Sequence, residues 1–226
     1  MSMFDEAAWE ERYRSAPSVW SGQPNPQLVA ETSDLPPGTA LDIGSGEGAD
    51  AIWLADRGWR VTAVDFSTTA LERGAAHAAA LGPEIAARVE WRHADLRSWT
   101  PAPVSFDLVS AQYMHLPSAE RRPLFARLAA AVAPGGTLLL VGHDVSDLDT
   151  GAHRVHEPDM FFTAEEVAAS LAPEEWEVLV VDARPRPAKS HEGEGITVHD
   201  AVVRARRIAL GQGITSGGGP GRPAPR

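Results

Sequence analysis

From Thr39 to Val141 short apolar runs alternate with helical patterns, and this alternation sets the first expectation for the fold. Strands are predicted at Ala40–Ile43, Arg60–Val64, Arg88–Trp91, Phe106–Ser110 and Thr137–Val141. Between them, helices are predicted near Gly48–Arg57, Thr68–Leu81 and Ser118–Val132. Such a series predicts an α/β fold, with parallel strands joined by right-handed crossovers and helices on both faces of the sheet. Pro101 and Pro103 limit any helix between Trp91 and Phe106 to a short one.

Both ends of the chain depart from this rhythm. Phe4, Ala7, Ala8 and Tyr13 are spaced for a short amphipathic helix reaching about Arg14. A turn-rich stretch, Ser15–Pro26, holds Trp20 and Gly22, and Pro26 after Asn25 opens a second short helix to Thr32. Beyond Val141 a loop rich in Asp and His, Gly142–Asp159, leads to a helix at Thr163–Leu171, where Thr163 and Glu166 have capping-box spacing. Trp176–Asp182 and Ile196–Arg204 read as an antiparallel pair closing one edge of the sheet. The chain thus divides into residues 1–38, a main domain over 39–210, and a tail over 211–226. The tail is rich in Gly, Pro and Ser and is expected to be disordered. No internal repeat is present.

Composition narrows the function classes. The 226 residues are 43% hydrophobic and 23% charged, close to globular averages. A formal charge of −11 argues against a broad nucleic-acid surface and against anionic membranes, because both need clustered Lys and Arg. There is no cysteine, so disulfides, thiolate metal sites and cysteine nucleophiles are ruled out within the chain. The acidic, amphipathic start lacks the apolar core of a signal peptide, and no apolar run approaches the ~20 residues that span a bilayer. A cytoplasmic location is the expectation.

The chemistry concentrates at Asp42-Ile43-Gly44-Ser45-Gly46-Glu47-Gly48, three glycines between a buried strand and a helix. Glycine lets a ligand approach bare backbone, and the helix start offers unpaired N–H groups. Two ligands exploit such a turn. A dinucleotide uses Gly44, Gly46 and Ala49 as G-x-G-x-x-A; S-adenosylmethionine (SAM) lays its ribose and methionine chain on the same backbone. Asp65, ending the second predicted strand, is placed to accept the ribose hydroxyls, with Phe66 beside it and Ser67 the better helix cap. Asp42, two residues before the first glycine, repels pyrophosphate and suits the ammonium and sulfonium of SAM.

In this company the sequence resembles the class I SAM-dependent methyltransferases. LDIGSGEG is similar to their glycine-rich motif, VTAVDFS to their ribose-binding strand end, and HADLRSW to their third motif. FDLVSAQYMHLP and LAAAVAPGGTLLLVG resemble their fourth and fifth strand regions. The resemblance implies a Rossmann-like seven-stranded sheet with one reversed strand, Asp95 facing the adenine amino group, and Leu96 against the ring. WEERYRSAPSVWSGQPNP is similar to the start of the tellurite-resistance and thiopurine methyltransferases. That likeness makes residues 1–38 a cap over the cofactor, with Arg14 at the SAM carboxylate and Trp20 over the site. Where the tellurite enzymes carry a His-Arg pair, this chain has Ser190-His191-Glu192, which counts against tellurite as substrate.

Methyl transfer asks mainly for alignment and exclusion of water, because the sulfonium supplies the reactivity. Candidate residues for handling the acceptor follow the parallel strands: Tyr113 and His115 after the fourth, His143 and Asp144 after the fifth. Gln112 is assigned to the cofactor. His191 and Glu192 line the acceptor pocket if their loop folds over it. His143, Asp144, Asp147, Asp149, His153, His156 and Glu157 show no recognised ligand spacing, and no metal is expected. The partner is expected to be a small-molecule acceptor such as a thiol, a chalcogen oxyanion or a small metabolite. Two alternatives stand beside this reading: a nicotinamide-dependent oxidoreductase and a SAM-binding domain without catalysis.

Overall fold

The computed structural model describes residues 6–114, 116–148, 150, 157–190 and 193–209. Its centre is a seven-stranded sheet: β1 (Thr39–Ile43), β2 (Arg60–Asp65), β3 (Val89–His93), β4 (Phe106–Gln112), β5 (Val132–His143), β6 (Trp176–Lys189) and β7 (Gly195–Arg207). The spatial order is β3-β2-β1-β4-β5-β7-β6. β1 to β5 pair in parallel, and β7 runs antiparallel to both β5 and β6. The last strand among the described residues, β7, is therefore inserted inside the sheet, and β6 forms the edge. The chain builds outward through β2 and β3, then crosses back to place β4 on the other side of β1. Open α/β sheets bind ligands at such a switch point.

Alternation along the strands feeds two apolar layers. Leu41, Ile43, Val109, Leu138, Leu140, Ala201 and Val203 face one side, against Leu124 and Leu128 of α6 (Ser118–Ala131) and Val167 of α7 (Ala164–Ala168). Ala40, Ala63, Leu108, Leu139, Val141 and Val202 face the other, against Leu28 of α2 (Pro26–Thr32) and Ala51, Leu54 and Ala55 of α3 (Ala49–Asp56). The remaining helices are α1 (Glu6–Ser15), α4 (Thr68–Leu81) and α5 (Pro83–Ala86). Asn25 caps α2 through Gln27 N–H, Ser67 caps α4 through Ala70 N–H, and Thr163 caps α7 through Glu166 N–H.

Several boundaries differ from expectation for identifiable reasons. The helix predicted to Val132 stops at Ala131, because Val132 already pairs with Phe106 at the start of β5. β6 continues to Lys189 through Pro185 and Pro187, beyond its expected end at Asp182. An edge strand tolerates them, since one side of its backbone has no ladder to serve. The Trp91–Phe106 connection contains no helix among the described residues, while Gly82-Pro83 opens the unforeseen α5.

Candidate functional site

The turn after β1 meets the C-terminal end of β4 at the switch point, where Ile43 pairs with Ala111. Gly44, Gly46 and Gly48 all adopt positive φ, +69°, +51° and +84°, which only glycine takes without strain. Gly48 has a packing duty as well: a Cβ there would lie 2.3 Å from the Trp91 ring, and one on Gly74 of α4 would lie 2.5 Å from it. Asp65 fastens the turn. Gly46 N–H donates to its Oδ2 and Ser67 N–H to its Oδ1, both at 2.9 Å. The Phe66 N–H is a third backbone donor to this carboxylate. Burial pushes the Asp65 pKa up, against these backbone donors and His93.

Asp65 belongs to a buried group of acids. Asp42 is 2% exposed, and burial, then Asp50, then Asp65 push its pKa well above the ordinary carboxylate value. Asp50, in the first turn of α3, is pushed up to about 6 by burial, although its Oδ1 accepts from Asn25 N–H at 2.6 Å. Asp42 Oδ2, Ser45 Oγ and Gln112 Oε1 are buried without a hydrogen-bond partner. Gln112 Nε2 donates to Ser110 Oγ at 2.7 Å, which leaves its carbonyl as the orphan. Buried polar atoms without partners are uncommon, and here three border one turn.

The N-terminal segment lies over this backbone. A Cβ on Gly46 would be 2.9 Å from the Tyr13 hydroxyl oxygen and 3.3 Å from Trp20 Nε1. Trp20 Nε1 donates to Tyr13 Oη at 2.9 Å, and Trp9 stacks near both rings. Glu47 accepts from the N–H groups of Val19 and Trp20 at 3.1 Å and pairs with Arg73 at 2.9 Å. Arg73 also donates to the carbonyls of Tyr13 and Ala16, each at 2.7 Å. Glu10 accepts from the hydroxyls of Ser67 and Thr69 at 2.5 Å. Three carboxylates, Glu10, Glu47 and Asp50, therefore hold residues 10–25 to the turn and the starts of α3 and α4.

The predicted residues do not all converge. Arg14, expected at the SAM carboxylate, pairs with Glu10 at 2.9 Å and its side chain is 64% exposed. Asp95 is gripped by the Arg97 guanidinium, which lowers its pKa, and Leu96 is buried in the α6 layer. Phe66 offers its carbonyl to His93 Nε2 at 2.8 Å. Tyr113, with φ +51°, stacks on His143 at 4.9 Å, and Phe161 lies 5.8 Å from the same imidazole. Burial, then the Asp200 charge, push the Tyr113 phenol up to about 12. Met114 Sδ sits 2.7 Å from the position of a Cβ on Gly44. Asp144 caps a 3₁₀ turn at Val145–Asp147, and Asp147 pairs with His199 at 3.1 Å. His115, Asp149, His153, His156, His191 and Glu192 lie outside the described residues. Among those described, no group of three or more His, Cys, Asp or Glu is placed to hold a metal, and no helix is long and apolar enough to cross a membrane.

The methyltransferase domain family model matches residues 40–136. The chain is 31% identical over 157 residues to the probable thiol methyltransferase 2 of Arabidopsis thaliana, covering 67% of this chain and 68% of that protein. The chain belongs to the class I SAM-dependent methyltransferases. It is 33% identical over 153 residues to a trans-aconitate 2-methyltransferase of Rhizobium meliloti, covering 66% of this chain but 53% of that enzyme. Among solved structures, the enzyme that converts a disulfide into a thioacetal in echinomycin biosynthesis superposes with a TM-score of 0.70 at 24% identity, over 93% of this chain and 94% of that one. TehB of Haemophilus influenzae superposes with a TM-score of 0.65 at 16% identity, over 89% of this chain and 66% of that one. Both likenesses speak to the fold.

Within this methyltransferase, sequence reasoning passed over Tyr13, Glu47, Arg73 and Met114. Glu47 carried a readable signal, an acid inside the glycine turn at the start of a helix. The others are brought to the turn by packing between segments distant along the chain.

Proposed function

We propose that the methyltransferase binds SAM along Gly44–Gly48 and passes its methyl group to a small-molecule acceptor beside Tyr113 and His143. The observation carrying this reading is the buried acid group Asp42, Asp50 and Asp65 bordering a turn with three orphaned polar atoms. That set of mainly acceptor atoms fits a ligand which is cationic at one end and carries vicinal hydroxyls. It does not fit a pyrophosphate, whose charge would face the same carboxylates. Asp65 would receive the ribose hydroxyls and Asp42 the ammonium. Gln112 and Ser45 would complete the polar contacts, while Leu96, Phe66 and Asp95 would border the adenine.

When bound, SAM supplies an electrophilic methyl group on a sulfonium leaving group. The chain's own residues align and shield. Tyr13 and Trp20 lie against Gly46, and the described part of the N-terminal segment, residues 6–38, would act as a cap that excludes water from the turn. Tyr113, whose hydroxyl is engaged by Asp200 and Arg186, would wall the acceptor side with its ring and is not a base, because its phenol stays neutral at physiological pH. His143, and His115 beyond the described residues, are the groups for taking a proton from an acceptor that releases one. A thiol or a carboxylic acid is the acceptor class favoured by the activities named for the relatives in Arabidopsis and Rhizobium.

The test is an acceptor panel of small thiols, carboxylic acids, phenols, selenite and tellurite, assayed with methyl-labelled SAM. We expect transfer to a thiol or a carboxylate, with S-adenosylhomocysteine as co-product. Intact cofactor binding without transfer to any class would favour the non-catalytic alternative.

A further inference from the structure

Tyr113 is held in a conformation that large side chains rarely adopt. Its φ of +51° lies in the left-handed region. Among the described residues one other non-glycine shares that region: Val104, 49% exposed on a turn. Tyr113 is instead fixed on three sides. Its N–H donates to Val141 O at 2.8 Å, its ring stacks on His143, and its hydroxyl faces Asp200 and Arg186. Asp200 is fully buried on β7, in register with His143. Both of its oxygens accept from Arg186 Nε, at 3.1 and 2.8 Å, and Gln27 of α2 approaches one of them at 3.4 Å. The Arg186 guanidinium lies 5.9 Å from the Tyr113 ring centroid. The left-handed residue reverses the chain, and the next side chain, Met114, then rests its sulfur on Gly44. A right-handed residue at position 113 would direct Met114 elsewhere.

We infer that Asp200 and Arg186 are positioning residues that act through Tyr113 to keep Met114 against Gly44, closing the acceptor side of the cofactor turn. This rests on SAM occupying that turn. It gives β7 and the projecting part of β6 a part in cofactor binding, although neither carries a cofactor motif.

The experiment is a double-mutant cycle on S-adenosylhomocysteine affinity, measured by calorimetry on the full chain with Asp200→Asn, Tyr113→Phe and the pair. We expect each single change to weaken binding about tenfold and the pair to weaken it by about the same tenfold, because both cut one link. Met114→Ala should also weaken binding about tenfold and remove the effect of Asp200→Asn. A general structural role for Asp200 would instead multiply the losses to about a hundredfold, and that result would overturn the inference, as would unchanged affinity in both single variants. If Asp200→Asn does not fold, Arg186→Gln probes the same link from its more exposed end, with the same non-additivity expected against Tyr113→Phe. A wild-type protein with no affinity for S-adenosylhomocysteine would overturn the proposed function itself, whereas wild-type binding with multiplicative losses overturns this inference alone.

Discussion

Asp42 sits in the interior, with the half-buried Asp50 beside it, in a protein that already carries a formal charge of −11. Asp50 is pushed from 3.8 up to about 6, and Asp42 moves in the same direction. Raised acids hold protons in the folded state that the unfolded chain has released. Between about pH 4 and 6 the free protein should therefore lose stability as pH rises. A cationic ligand works in the opposite sense, because binding favours the charged carboxylates and expels the protons they hold. We expect S-adenosylhomocysteine affinity to climb as pH rises through about 6, by up to about tenfold per unit, and then to level off. Calorimetry across this range checks it, and a flat profile would detach the acid group from ligand binding. At this scale part of the site was legible. Ser67 reads as a better helix cap than Asp65, which was assigned to the ribose, and the structure bears out the cap. Tyr13 and Arg73 were not legible, because they meet across roughly sixty residues and no local pattern records the contact.

The element carrying most of the unforeseen geometry is the N-terminal segment, proposed above as a cap. Its helix α1 was expected from periodicity, but its attachment depends on the Glu47–Arg73 pair, whose side chains are 6% and 23% exposed. Hydrogen bonds to charged groups of this kind contribute roughly 1.5–3 kcal/mol. Arg73→Met should leave Glu47 buried without its cation and cost about 2 kcal/mol, lowering the melting temperature by about 4–8 °C. It should also weaken S-adenosylhomocysteine about tenfold by loosening Tyr13 and Trp20 over Gly46. Thermal melts with and without ligand measure both, and unchanged ligand stabilisation would mean that the cap takes no part in binding. The strands teach a related lesson. The buried strands were readable as apolar runs, whereas β6 was truncated in the reading at Arg184-Pro185-Arg186-Pro187, because proline argues against a strand until the strand is known to be an edge.

For the whole molecule, alternation of strands and helices was enough to anticipate a parallel sheet with a closing antiparallel pair. It did not say that β7 would slip between β5 and β6. Strand order is a long-range property, set by which apolar faces bury best, and here Val202 and Val203 at 0% exposure belong inside while β6 keeps Val178 at 39%. The same architecture supports dinucleotide enzymes, so fold alone leaves the ligand open; the carboxylates around Gly44–Gly48 separate the two. The direct measurement is calorimetric titration of the protein with S-adenosylhomocysteine and, in parallel, with NADH, using Asp65→Ala as the control. The account predicts saturable binding of S-adenosylhomocysteine, no binding of NADH, and a loss of about 10- to 100-fold in affinity for Asp65→Ala. Binding of NADH in place of S-adenosylhomocysteine, or equal affinity in the Asp65 variant, would contradict it.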